Sequence, residues 1–125
     1  MNKERNYQKG KNGEKIAKEY LIEDGYEILE MNYKNKIGEI DLIACLKDEL
    51  IFTEVKLKIG DKFGFPEEMI NKRKLCQIRR VAESFLYFKP NISEKYKRYR
   101  IDAICIVLND FNKVERISHY QNLIV

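Results

Sequence analysis

A chain of 125 residues, 44% hydrophobic and 35% charged, is sized for one globular domain with a single core, which excludes a disordered chain. Its net charge of +4 is a mild basic bias that permits a nucleic-acid partner without requiring one. No apolar run nears the ~20 residues of a membrane helix, and the first residues lack a secretory pattern. Three cysteines without C-x-x-C spacing and a lone His119 argue against zinc. A cytoplasmic protein is expected.

Residues 1–12 are polar and lysine-rich, so a flexible basic arm is predicted, either solvated or touching phosphate; residues 13–125 form the single domain. Ile16, Ala17, Tyr20 and Leu21 recur at helical spacing, with Asn12 or Gly13 as cap and Gly25 as stop. Glu14 then falls in the first turn, where an acid complements the helix dipole. Tyr26–Tyr33 reads as a first strand, and Asn35-Lys36 turns the chain toward Gly38.

The stretch Gly38–Lys56 organises the rest. Ile40–Leu46 and Leu50–Val55 flank a short polar turn, Lys47-Asp48-Glu49, and read as a hairpin of covered strands. Alternation puts Phe52, Glu54, Lys56 and Lys58 on one face, and Ile51, Thr53, Val55 and Leu57 on the other. Glu39 and Asp41 share a side opposite Ile40 and Leu42. Glu39 is read as an exposed strand-end acid rather than a further ligand. Adjacent strands can therefore aim Asp41, Glu54 and Lys56 into one pocket. Buried charge is costly unless paired or bound to metal. Lys56 could simply neutralise one acid. Two acids against one lysine leave surplus negative charge, which suits Mg²⁺ or Mn²⁺. That set is also what metal-assisted phosphodiester hydrolysis uses, the carboxylates holding the metal and the ammonium orienting water or offsetting charge.

After Lys56, a loop from Leu57 to Pro66 carries Lys58 and Lys62 and lies at the mouth of this pocket, where such loops contact substrate. Glu67–Phe88 reads as one long helix with Leu75, Ile78, Ala82 and Phe85 inward. Its basic residues form a solvated face, except that Lys74 borders the apolar stripe. Lys89–Arg98 reads as a polar linker. In Lys95–Arg100 basic and aromatic residues interleave, which suits either phosphate and unpaired bases or a strand approach with snorkelling side chains; Lys97, Arg98 and Arg100 are the candidates. Ile101–Leu108 is an apolar strand placed by the preceding helix parallel to the Glu54 strand. Arg100 and Asp102 share a face and are read first as an ion pair. Val114–Ser118 is a last strand.

Asp41 followed thirteen residues on by Glu54-Val55-Lys56 resembles the PD-(D/E)xK nuclease signature. More closely, GEIDLIA followed by FTEVK resembles the YraN family of uncharacterised endonuclease-like proteins, similar in core to archaeal Holliday-junction resolvases, over about Gly13 to the C-terminus. Ile40 stands before Asp41, where many of the superfamily have proline. The resemblance implies a restriction-endonuclease-like αβββαβ fold, a mixed sheet flanked by helices, which the order of predicted elements matches. It implies catalytic roles for Asp41, Glu54 and Lys56, and a place for Glu14 beside the metal, since Gly13-Glu14 and Ala17 match the family's opening. It implies a phosphate contact for Lys74, and an Arg-x-Asp element at Arg100 and Asp102. The expected function is a metal-dependent nuclease for DNA or branched nucleic acid. The alternatives are a non-cutting nucleic-acid-binding module or a protein-interaction adaptor. Junction-cutting relatives act as dimers, so a homodimer is an open expectation.

Overall fold

The computed structural model describes the backbone of residues 2–60 and 64–124, and side chains from Asn12 onward. Lys62 and Phe63, and the side chains of the expected N-terminal arm before Asn12, lie outside the described residues. The chain runs α1 (Asn2–Glu23), β1 (Glu27–Lys34), β2 (Glu39–Leu46), β3 (Glu49–Ile59), a 3₁₀ turn (Pro66–Met69), α2 (Lys72–Phe88), α3 (Pro90–Lys95), β4 (Arg98–Leu108) and β5 (Val114–Tyr120). The strands form one sheet in the order β1-β2-β3-β4-β5, antiparallel except for the parallel β3–β4 pair. A mixed sheet flanked by helices is the expected fold class, and it is compatible with a restriction-endonuclease-like core. Among the described residues no helix is long and apolar enough to cross a membrane.

Two apolar layers hold the sheet. On one side Ala17 and Leu21 of α1 cover Leu42, Ala44, Ile51, Ile104 and Ile106. On the other, Ile78, Val81, Ala82 and Phe85 of α2 cover Ile40, Ile43, Leu50 and Phe52. Phe52 and Phe85 are fully buried and meet edge to face at 5.6 Å between ring centroids. Each such side chain contributes ~1.5–3 kcal/mol by burial, enough in sum to carry a few buried charges.

Several boundaries differ from expectation for identifiable reasons. Helical backbone begins at Asn2, ahead of the expected cap at Asn12 or Gly13; Lys, Glu, Arg and Gln in this stretch are strong helix formers. β3 continues past Lys56 to Ile59 because β4 pairs with it to Leu108, so Leu57–Ile59 are strand, not loop. The predicted helix from Glu67 is two pieces. Asn71 is extended (φ −105°, ψ 177°) and its side chain accepts from the Lys74 N–H at 2.9 Å, so α2 starts afresh at Lys72. The expected linker contains α3, with Pro90 in its first turn.

One departure matters for function. Ile40 packs toward α2 while Leu42 packs toward α1, so these two residues do not share a face. Their partners on β1, Tyr33 and Met31, divide in the same way around Asn32, whose φ is +56°. The β1–β2 ribbon therefore turns over at Asn32 and Asp41, where plain alternation breaks.

Candidate metal centre

Main-chain pairing of β2 with β3 ends at Leu42 opposite Thr53. Beyond it the strands part, and the Asp41 carboxylate stands in for the missing acceptor: Oδ2 accepts from the Val55 N–H at 2.8 Å. An orphaned buried N–H would cost ~1–3 kcal/mol, so this bond fixes the carboxylate at the fork. Glu54 precedes Val55 and is 3% exposed, on the α2 side of β3. Burial, then a hydrogen bond shared with Glu54 and the charge of Glu54, push the Asp41 carboxyl up to about 8, against the weaker pull of the Val55 N–H and Lys56. Two acids are thus held together with more negative charge than their surroundings compensate.

A third acid arrives from α1. A Cβ built on Gly13 would lie 3.3 Å from Leu57 Cβ, so the helix crosses β3 closely and a side chain there would have to displace Leu57. This close crossing delivers Glu14 to the fork. Glu14, Glu39 and Asp41 each offer a carboxylate oxygen, all within 4.8 Å of one another. Glu39, expected as an exposed strand-end acid, is exposed but belongs to this cluster. Gly13→Val should push α1 off β3 and withdraw Glu14. We expect at least ~10-fold weaker Mn²⁺ binding by calorimetry, with helical circular dichroism kept; parental affinity would remove Glu14 from the site.

Two lysines face the acids. Lys74 Nζ lies 3.1 Å from Glu54 Oε2 in an ion pair. Lys56 is half-buried on β3, and its charge reaches Asp41. Of the two acids that Lys56 could have neutralised, Glu54 is paired instead with Lys74. Lys58 follows on the same face of β3, opposite Val107 of β4.

The other basic candidates lie elsewhere. Arg98 stands opposite Glu49, five strand positions from Glu54, or about 16 Å along β3. It is exposed and reaches Asp48 at 3.5 Å. Lys97 is exposed beside it. Arg100 faces inward: it donates to Glu49 at 2.8 Å, to Asp102 at 3.0 and 3.2 Å and to the Tyr26 hydroxyl at 2.7 Å. Its side chain, 10% exposed, is committed to a structural ion pair.

Two further positioning residues carry no signal in the sequence. Gln77 on α2 donates to the Ile37 carbonyl at 3.1 Å, and its side chain fills the space that a Cβ at Gly38 would need, 2.9 Å from Nε2. Glu67 accepts from both terminal nitrogens of Arg116 and from the Tyr120 hydroxyl, which pins the 3₁₀ turn to β5.

A mixed α/β domain with four acids and two lysines around a fork between strands defines a class: a small domain with a carboxylate cluster that could hold a metal ion. The chain belongs to the uncharacterised protein family UPF0102, whose profile matches residues 13–106. It is 43% identical to the UPF0102 protein of Clostridioides difficile over 117 residues, covering 94% of this chain and 96% of that one. It is 40% identical over 116 residues to that of Caldanaerobacter subterraneus subsp. tengcongensis, covering 90% and 91%. With the protein of Caldicellulosiruptor bescii the identity is 39% over 111 residues, covering 89% and 92%.

Proposed function

We propose that this protein is a divalent-metal-dependent phosphodiester hydrolase of the PD-(D/E)xK type, acting on DNA or another structured nucleic acid in the cytoplasm. One observation carries the reading: Glu14, Glu39 and Asp41 converge within 4.8 Å beside a buried Glu54, at the point where two strands part. The donor set is all carboxylate oxygen, which fits Mg²⁺ or Mn²⁺, and the raised Asp41 carboxyl marks charge that a cation would neutralise. Asp41 and Glu54 would hold it, with Glu14 and Glu39 completing the set. When bound, such an ion supplies Lewis-acid polarisation of a phosphoryl oxygen and a more acidic water.

The chain's own residues do the rest. The Val55 N–H fixes Asp41, and the close crossing at Gly13 fixes Glu14. The Lys56 ammonium, whose charge reaches Asp41, would orient the attacking water or offset charge growing on the phosphoryl group. Lys74, once released from Glu54, reaches a phosphate at the same fork. A second copy of the chain would supply a second centre for cutting paired strands, which is the homodimer this reading accommodates. The Lys74–Glu54 ion pair favours a second reading, a binding module in which lysine permanently neutralises the acid.

Cleavage of linear, single-stranded, flapped and four-way DNA with Mg²⁺ or Mn²⁺ separates the two. The parent should cut at least one substrate. Lys56→Met should stay folded and bind DNA normally, yet cut ~10²-fold more slowly or worse, the scale of one lost transition-state contact. No cleavage by the parent on any substrate favours the module, and parental rates in Lys56→Met remove that lysine from the chemistry.

A further inference from the structure

The nuclease reading leaves one surface without a role: the outer side of α2. Beside its first half lies an open groove of about 730 Å³ lined by Asn71, Arg73, Lys74, Gln77 and Arg80. Lys74 is common to this groove and the acid site, since its ammonium pairs with Glu54. At 100° per residue, Arg73, Arg80 and Tyr87 fall within about 40° of one another, so the basic row leads to an aromatic end. There Tyr87 is 78% exposed and Phe88 73% exposed, their rings meeting edge to face at 5.0 Å between centroids.

Two neighbouring aromatic side chains left this open at the end of a cationic row are unusual on a surface whose burial needs α2 already meets with Ile78, Val81, Ala82 and Phe85. α2 has five basic residues and the single acid Glu83. The long crossover returns the chain to the start of β4, so Tyr87 and Phe88 lie toward the end of the domain that carries exposed Lys97 and Arg98. The helix rises ~20 Å from Lys74 to Tyr87, room for a few nucleotides of one strand.

We propose that this side of α2 binds an unpaired nucleic-acid strand, with Arg73 and Arg80 on phosphates and Tyr87 and Phe88 stacked on bases, so that the substrate combines a scissile bond at the acid fork with single-stranded nucleic acid beside it. It rests on the nuclease reading for the scissile bond, but strand binding stands apart from cleavage. Charge selects the polyanion, and open aromatic faces select bases that are not already stacked in a duplex.

The test is fluorescence anisotropy with labelled DNA in EDTA, where nothing is cut, comparing a single strand, a blunt duplex and a duplex with a single-stranded tail. Tyr87→Ala/Phe88→Ala should weaken binding of the single strand and the tailed duplex by ~10-fold or more, with the blunt duplex changed less than ~2-fold. Tyr87→Phe, which keeps the stacking face, should bind like the parent. Equal loss on all three DNAs, or unchanged binding to the single strand, overturns the inference. So does a change of sedimentation from dimer to monomer in the double variant, because the aromatic pair would then be a protein interface. Failure of the parent to cut DNA, with this binding pattern intact, counts against the nuclease alone.

Discussion

Asp41→Asn should lose Mn²⁺ binding by more than ~100-fold while the fold survives. The asparagine carboxamide oxygen can still accept from the Val55 N–H, so the strand fork keeps its bond. The carboxamide N–H₂ can also donate to Glu54 as the protonated Asp41 does, and the metal-free variant should melt no lower than the parent. Glu39→Gln and Glu14→Gln test the cluster defined by the structure, and each should weaken the ion by ~10-fold or more. If Glu39→Gln binds Mn²⁺ like the parent, the ligand set shrinks to Asp41 and Glu54, as the strand pattern alone suggested. Calorimetric titration and thermal melts on one preparation give both answers.

The second large effect is on stability, at Asp102. This carboxylate is wholly buried and makes four contacts with three residues: His119 Nε2 at 2.8 Å, Arg100 twice and the Asn122 N–H at 3.0 Å. Burial alone would push its carboxyl up; the bonds from His119, Arg100 and Asn122 outweigh it and hold the group below the usual carboxylate range. Asp102→Ala strips Arg100 of one of its two anions and should cost ~3–5 kcal/mol, the scale for breaking a buried pair. For a chain of this size that lowers Tm by ~10–20 °C. The pH sign follows from the depressed value. The stabilisation is present above the ordinary Asp value and is lost as pH falls below it. The parent should therefore lose stability on that acid limb, and Asp102→Asn should flatten it. A loss of less than ~1 kcal/mol in Asp102→Ala would mean that Arg100 finds enough compensation in Glu49.

Much of this was legible in the residues, because apolar runs, turn residues and a helix crossover constrain a sheet order strongly. The parallel pairing of β3 with β4 and the inward stripe of α2 follow from periodicity. The Arg100–Asp102 pair follows from alternation. What alternation could not see was its own failure at Asp41, where a left-handed Asn32 on the neighbouring strand lets the ribbon turn over. Placing Glu39 at the strand end was right about its exposure and missed its neighbours. The residues single out Lys74 beside the apolar stripe but not its pairing with Glu54, because a helix begins at an address that local pattern fixes poorly. The Asn71 cap, which sets that address, was masked by Pro66 and two glutamates that suit a helix start equally well.

The sheet order has a kinetic consequence. Strands β1, β2 and β3 form a meander of near neighbours, whereas β3 must wait for β4, whose Arg98 pairs with Glu49 across two intervening helices. Closing that loop is a step of high sequence separation, whose entropy cost slows folding. Asp41 and Glu54 sit together on the meander, so local pairing of β2 with β3 is enough to bring them together. An acid pair that gains its ion early would turn from a brake on folding into a nucleus for it.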